Sequence, residues 1–125
     1  MKNTLLPLLL MTLWISFSEF FRNEILFKSY WTDHYESLGL TFPSEPVNGA
    51  MWGFWSLLMA VAIFILIKRF TFIQSALLAW LMGFVMMWVV VGNMDVLPFG
   101  ILVFAVPLSL LEVFFAAWIA KKFSK

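Results

Sequence analysis

Four apolar runs, each long enough for a membrane crossing, are separated by polar segments along this chain. A hydrocarbon core of about 30 Å needs about 20 residues of helix. The pattern therefore predicts an all-α membrane protein, a four-helix transmembrane bundle that forms a single integral membrane domain. The predicted spans are residues 4–21, 50–67, 71–92 and 98–120.

The polar segment 22–49 lies between the first two spans and has a helical pattern of its own. Its apolar positions recur at helical spacing, with Lys28, Asp33 and Glu36 toward the other side. We predict an interfacial amphipathic helix from about Glu24 to Leu38, ended by Gly39. The apolar positions are Phe27, Tyr30, Trp31, His34 and Leu38.

Composition supports the membrane class and excludes several functions. The chain is 63% hydrophobic and 12% charged, and a soluble domain carries about twice that charge. A net charge of +1 without a basic arm argues against nucleic acid. The absence of cysteine excludes thiolate metal sites, and the single His34 excludes paired haem imidazoles. We expect no cofactor and no metal, with Asp33, His34 and Glu36 on a solvated face.

The basic residues are distributed unevenly between the two ends of the spans. By the positive-inside rule, both termini lie in the cytoplasm and residues 22–49 lie outside, in an inner (plasma) membrane. The alternative for the first run is a cleaved signal peptide, but its apolar extension at Phe20 and Phe21 favours a retained helix. Six basic residues are assigned to the cytoplasm, namely Lys2, Lys68, Arg69, Lys121, Lys122 and Lys125, against Arg22 and Lys28 outside.

Glu112 is the strongest candidate for function, because a carboxylate within a span is costly and should face protein. It belongs to a face of small residues on the fourth span. Two interpretations stay open: a proton or cation site, or a hydrogen bond between helices. The other residues of this packing face are Ala105, Ser109, Ala116 and Ala120.

The first span carries a polar stripe that should also point into the bundle. Thr12, Ser16, Glu19 and Asn23 lie at i, i+4, i+7 and i+11. Glu19 is either a ligand-binding group or a carboxylate that reaches water at the interface.

Other spans add further candidates for binding and packing. Ser56 is the polar group that the second span offers to the interior, and Trp80 is expected near the level of Glu112. Ser75, Ala79 and Gly83 form a ridge of small residues on which a neighbouring helix packs, within the chain or in a homo-oligomer.

The layout resembles two kinds of protein. Four crossings with a membrane glutamate and many tryptophans look like small multidrug-resistance transporters, although in that family the key glutamate lies in the first helix. The segment FKSYWTDHYESLGL at 27–40, followed by three more crossings, is similar to uncharacterised bacterial four-helix families of unknown function. The second resemblance implies a bacterial membrane protein and no particular activity.

These observations favour a non-enzymatic membrane protein. The first hypothesis is binding or transport of a small amphipathic or cationic molecule with Glu112 as the intramembrane site. The second is an accessory or structural subunit without a ligand. A lipid-directed enzyme would need Asp33, His34, Glu36 or Glu19 to converge on one point.

Overall fold

The computed structural model of the protein describes residues 2–124, with the side chain of Lys2 left out. This part of the chain is helical and contains no strand. The elements are α1 (Lys2–Phe20) with a π-helical turn (Phe21–Leu26), α2 (Lys28–Ser37), α3 (Pro46–Ile67), α4 (Phe72–Trp80) with a second π-helical segment (Leu81–Val85), α5 (Met86–Asn93), a 3-10 turn (Phe99–Ile101) and α6 (Leu102–Phe123).

Four continuous helices in this described part are long and apolar enough to cross a membrane, which confirms the predicted number of spans. Their bounds are Asn3–Leu26, Pro46–Ile67, Phe72–Asn93 and Phe99–Phe123. The first helix continues past the predicted apolar run and includes Arg22 and Asn23, both of which are buried. Two of the basic residues counted for topology, Lys125 and the side chain of Lys2, lie outside the described residues.

Local sequence signals set the ends of these helices. Glu45 and Asn48 form a capping box at the start of α3, where Pro46 occupies the first turn. Thr71 and Gln74 do the same for α4. Gly39 ends the α2 region with φ +75°, the left-handed conformation that glycine adopts without strain.

The bundle places small and polar side chains inside and large apolar side chains outside. Ala60, Ala76 and Ala116 are fully buried. By contrast, Val103 is 75% exposed and Val89 is 68% exposed. Lipid tails are as apolar as these side chains, so the outward residues need no protein cover, and the small residues let the helices approach closely.

The packing face of α6 is buried along its length, as its spacing predicts. This face meets α1, α3 and α4, so α6 contacts each of the other membrane-length helices. The buried residues on it are Ala105, Ser109, Glu112, Ala116 and Ala120.

The small-residue ridge of the third span packs inside the chain. Ser75 and Ala79 are buried, and Gly83 lies against the side chains of Met59 and Trp55 on α3. A side chain at position 83 would occupy the space that the Met59 methyl group fills.

We predict that Gly83→Val destabilises the bundle. The branched side chain must displace Met59, and overpacking of this kind costs about 1–3 kcal/mol. The matched control is Gly53→Val, because a Cβ there meets nothing within 4 Å. Thermal unfolding in detergent measures both variants, and equal midpoints would contradict the prediction.

Candidate functional site

Glu112 lies fully buried in the middle of the bundle. Its exposed fraction is 0%, and its face of α6 packs against α1. It precedes Lys121 by nine residues, about 14 Å along a helix, which is near half of a hydrocarbon core of about 30 Å. The carboxyl group is therefore turned to protein and away from lipid.

Arg22 joins Glu112 to Glu19. One guanidinium nitrogen, Nη2, lies 2.6 Å from Glu19 Oε2, and the other, Nη1, lies 3.5 Å from Glu112 Oε1. The exposed fractions of Arg22 and Glu19 are 6% and 3%. A guanidinium suits this position because its fixed fork of donors can reach two carboxylates at once. These three residues form what we call the buried charge cluster.

A chain of hydrogen bonds extends the cluster toward α2. The Asn23 amide nitrogen donates to Glu19 Oε2 over 3.0 Å and to the Glu19 carbonyl over 3.1 Å. The Trp31 indole N–H donates to Asn23 Oδ1 over 3.0 Å. On the other side, the Trp14 indole N–H donates to the carbonyl oxygen of Glu112 over 3.0 Å.

The two π-helical segments lie beside the cluster. The first contains Arg22 and Asn23, and the second contains Phe84, whose ring centroid is 5.3 Å from the Arg22 guanidinium carbon. Short π-helical turns inside α-helices often occur at functional sites. Here they accompany the residues that satisfy the buried charges.

In this cluster the negative charges outnumber the positive charge, and some carboxylate oxygens lack hydrogen-bond partners. With both carboxylates ionised, one guanidinium faces two negative charges. Glu19 Oε1 and Glu112 Oε2 are buried and have no hydrogen-bond partner among the described residues. The cluster therefore has room for one more positive charge, as a proton or as part of a ligand.

Three cavities have Glu19 among their lining residues. The outer one, of about 480 Å³, extends from the 42–46 segment past Asn48 and Ser56 to Ser16 and Glu19. The inner one, of about 300 Å³, is lined by Glu19 and Arg22 of the buried charge cluster, while Glu112 is not among its lining residues. Its walls are aromatic, formed by Trp31, Tyr35, Phe42, Trp52, Phe84 and Trp88. The third, of about 220 Å³, is almost entirely apolar apart from Glu19.

Residue by residue, the structure brings some of the predicted site together and leaves some apart. Ser16 and Ser56 line the outer cavity, although the Ser56 hydroxyl donates to the Trp52 carbonyl. The Thr12 hydroxyl donates to the carbonyl of Leu8 in its own helix. The Trp80 indole donates to Ser109 over 2.9 Å, which makes it a packing contact between helices.

The residues weighed as a metal or lipid-enzyme site do not gather at the cluster. Asp33 and Glu36 are exposed on α2, and His34 Nε2 lies 2.6 Å from the carbonyl oxygen of Asp95. Within residues 2–124, no group of three or more metal-binding side chains is present.

Sequence reasoning missed Arg22, which it assigned to the outer surface. Arg22 and Asn23 follow Glu19 at i+3 and i+4, so all three share one helix face if the helix continues. That spacing could have indicated that Arg22 shares the buried face of Glu19. It was missed because the apolar run ends at Phe21, which suggested that the helix ends there too.

Comparison with protein-family models, curated proteins and solved structures finds no match to this chain. Function must therefore be argued from the geometry of the site.

We predict that Arg22→Met strongly destabilises the protein. Removing one partner of a buried ion pair costs about 3–5 kcal/mol, because the carboxylates stay buried without a counter-charge. Adding Glu19→Gln and Glu112→Gln to this variant should restore most of the lost stability. Unfolding in detergent at neutral pH measures the series.

The matched control is Lys28→Met. Lys28 pairs with Glu24 at 3.6 Å on the surface, and exposed pairs of this kind contribute at most about 0.5 kcal/mol. A loss of stability in Arg22→Met no larger than in Lys28→Met would refute the structural role of the cluster.

Proposed function

We propose that this protein binds a small amphipathic molecule carrying a protonated amine, inside the membrane and in contact with the buried charge cluster. Binding is the first step of storage, sensing or transport of that molecule. The protein is non-enzymatic in this proposal.

The observation that carries the proposal is the two carboxylates that share one guanidinium beside a cavity. Glu19 and Glu112 each keep one oxygen without a partner in the described chain, and Glu19 and Arg22 line the inner cavity. A cationic ligand group beside Glu19 would supply the missing charge and a hydrogen-bond donor at once.

The aromatic walls favour the same class of ligand. Trp31, Tyr35 and Phe42 pack against one another, with ring centroids 5.0 to 6.5 Å apart. Aromatic faces attract cations and also bury a flat apolar body. This combination suits an amphipathic amine better than a fully polar solute.

A proton and the cationic ligand compete for the cluster in this proposal. Either one brings the net charge of the cluster from −1 to zero. Ligand binding is therefore coupled to proton release, with Glu112 and Glu19 as the shared acceptor.

We further propose that α2 lies in the outer interface as a cover over the cavity. Trp31 and Tyr35 of α2 are half-buried and line the inner cavity. Both termini are then cytoplasmic, in the inner membrane of a bacterium. Because Arg22 is buried, Lys28 is the basic residue that remains on the proposed outer side. The excess of basic residues on the proposed cytoplasmic side is therefore larger than the sequence alone indicates.

The second candidate function is an accessory subunit in which the cluster only fastens helices. Its support is that Arg22 links the first and last helices. The cavities at Glu19 and the two unpartnered carboxylate oxygens favour ligand binding over this alternative.

We predict that Glu112→Gln weakens binding of dansylcadaverine, a fluorescent amphipathic primary amine, by about tenfold, which corresponds to about 1.4 kcal/mol. Wild-type binding should weaken as the pH falls, because a proton competes with the ligand while the amine itself stays protonated. The variant should lose this dependence. Energy transfer from tryptophan to the dansyl group, measured in nanodiscs, reports binding.

The control for this experiment is Glu36→Gln, which removes an exposed carboxylate of α2. It should leave affinity and pH dependence unchanged. The proposal fails if Glu112→Gln and Glu36→Gln behave alike.

The proposed topology has its own test, because the chain has no cysteine. In intact cells, a membrane-impermeant maleimide should label Ser37→Cys at once and Ser124→Cys only after permeabilisation. The reverse pattern would show that the orientation is inverted.

A further inference from the structure

The third cavity lies between α3 and the third membrane-length helix and opens on the outer surface of the bundle. It is lined by Glu19, Met51, Trp52, Trp55 and Met87. Met51 is 57% exposed and Met87 is 41% exposed. Both residues belong to helices long and apolar enough to cross a membrane, and both also line the inner cavity.

The opening arises because the two helices diverge toward one end. Beside Gly83, the side chain of Met59 fills the space between them. α3 packs against α4, while its contacts with α5 are few. Toward Met51 and Met87 the helices therefore separate, and side chains of methionine and tryptophan border the gap.

This gap ends on a carboxylate. Glu19 is the charged residue among the lining residues, and its exposed fraction is 3%. Its Oε1 has no hydrogen-bond partner in the described chain. An acyl chain has no donor for that oxygen, whereas a membrane-dissolved amine has both a donor and an apolar body.

We propose that this gap is a lateral portal, through which a lipid-soluble amine passes from the bilayer to Glu19. The identity of the ligand in this proposal rests on the proposed function. The portal adds the route by which the ligand enters and requires the ligand to be soluble in lipid. Methionine borders suit this role because their unbranched side chains rearrange at low cost.

The first test asks whether the bilayer reaches Glu19, and it needs no ligand. Dicyclohexylcarbodiimide, which is lipid-soluble and reacts with carboxyl groups, is added to the protein in nanodiscs, and mass spectrometry measures the adduct on Glu19. The double variant Met51→Cys/Met87→Cys, bridged by a flexible disulfide-containing bismaleimide, closes the gap. Bridging should slow modification by at least about tenfold, and reductant should restore it.

Two controls separate blocking from damage. The double variant before bridging supplies the reference rate, so that the effect of the two substitutions is separated from that of the bridge. A water-soluble carbodiimide, which reaches Glu19 through the outer cavity, should modify bridged and unbridged protein equally. Equal modification of both by dicyclohexylcarbodiimide would overturn the portal.

The second test uses a dansyl-labelled dodecyl amine preloaded into the nanodisc lipid. Bridging should slow its association by at least about tenfold, as measured by energy transfer from tryptophan. Unchanged association would overturn the lipid route. If neither form binds any amine while the bridge still blocks dicyclohexylcarbodiimide, the proposed function fails and the opening to lipid stands.

Discussion

The structure depends on one guanidinium shared by two buried carboxylates. Arg22 stands between Glu19 on its own helix and Glu112 on the last helix. Isolated charges at this depth would be very costly, and an ion pair offsets that cost only with good geometry. The π-helical turn, the Phe84 ring and the Asn23 amide all serve this arrangement. The rest of the bundle is ordinary packing of small residues around it.

The cluster also links the interior of the bundle to α2, whose Trp31 and Tyr35 line the inner cavity. Hydrogen bonds run from Glu19 through Asn23 to Trp31, which lies on α2. The Trp31 ring in turn packs against Phe42 beyond the end of that helix. Glu19, Asn23, Trp31 and Phe42 therefore form one connected set of side-chain contacts.

Much of this architecture could be predicted from the sequence, because apolar run length and small-residue spacing are local signals. They gave the number of spans, the buried face around Ser109 and Glu112, and the stop at Gly39. The partner of Glu112 could not be predicted in the same way. Arg22 is 90 positions away in the chain, and a basic residue after an apolar run ordinarily marks its end. Only packing of the first helix against the last shows that the helix continues and buries this side chain. The cavities depend on helix divergence, which no local pattern encodes.

The distance along the chain between Arg22 and Glu112 has a consequence for synthesis. The first helix leaves the ribosome long before the last, so until α6 is made Arg22 has only Glu19, three residues earlier on its own helix, as a charged partner. The bundle is complete only when the final helix arrives. Glu112 is the one member of the cluster that enters the membrane with its charged partners already in place on another helix.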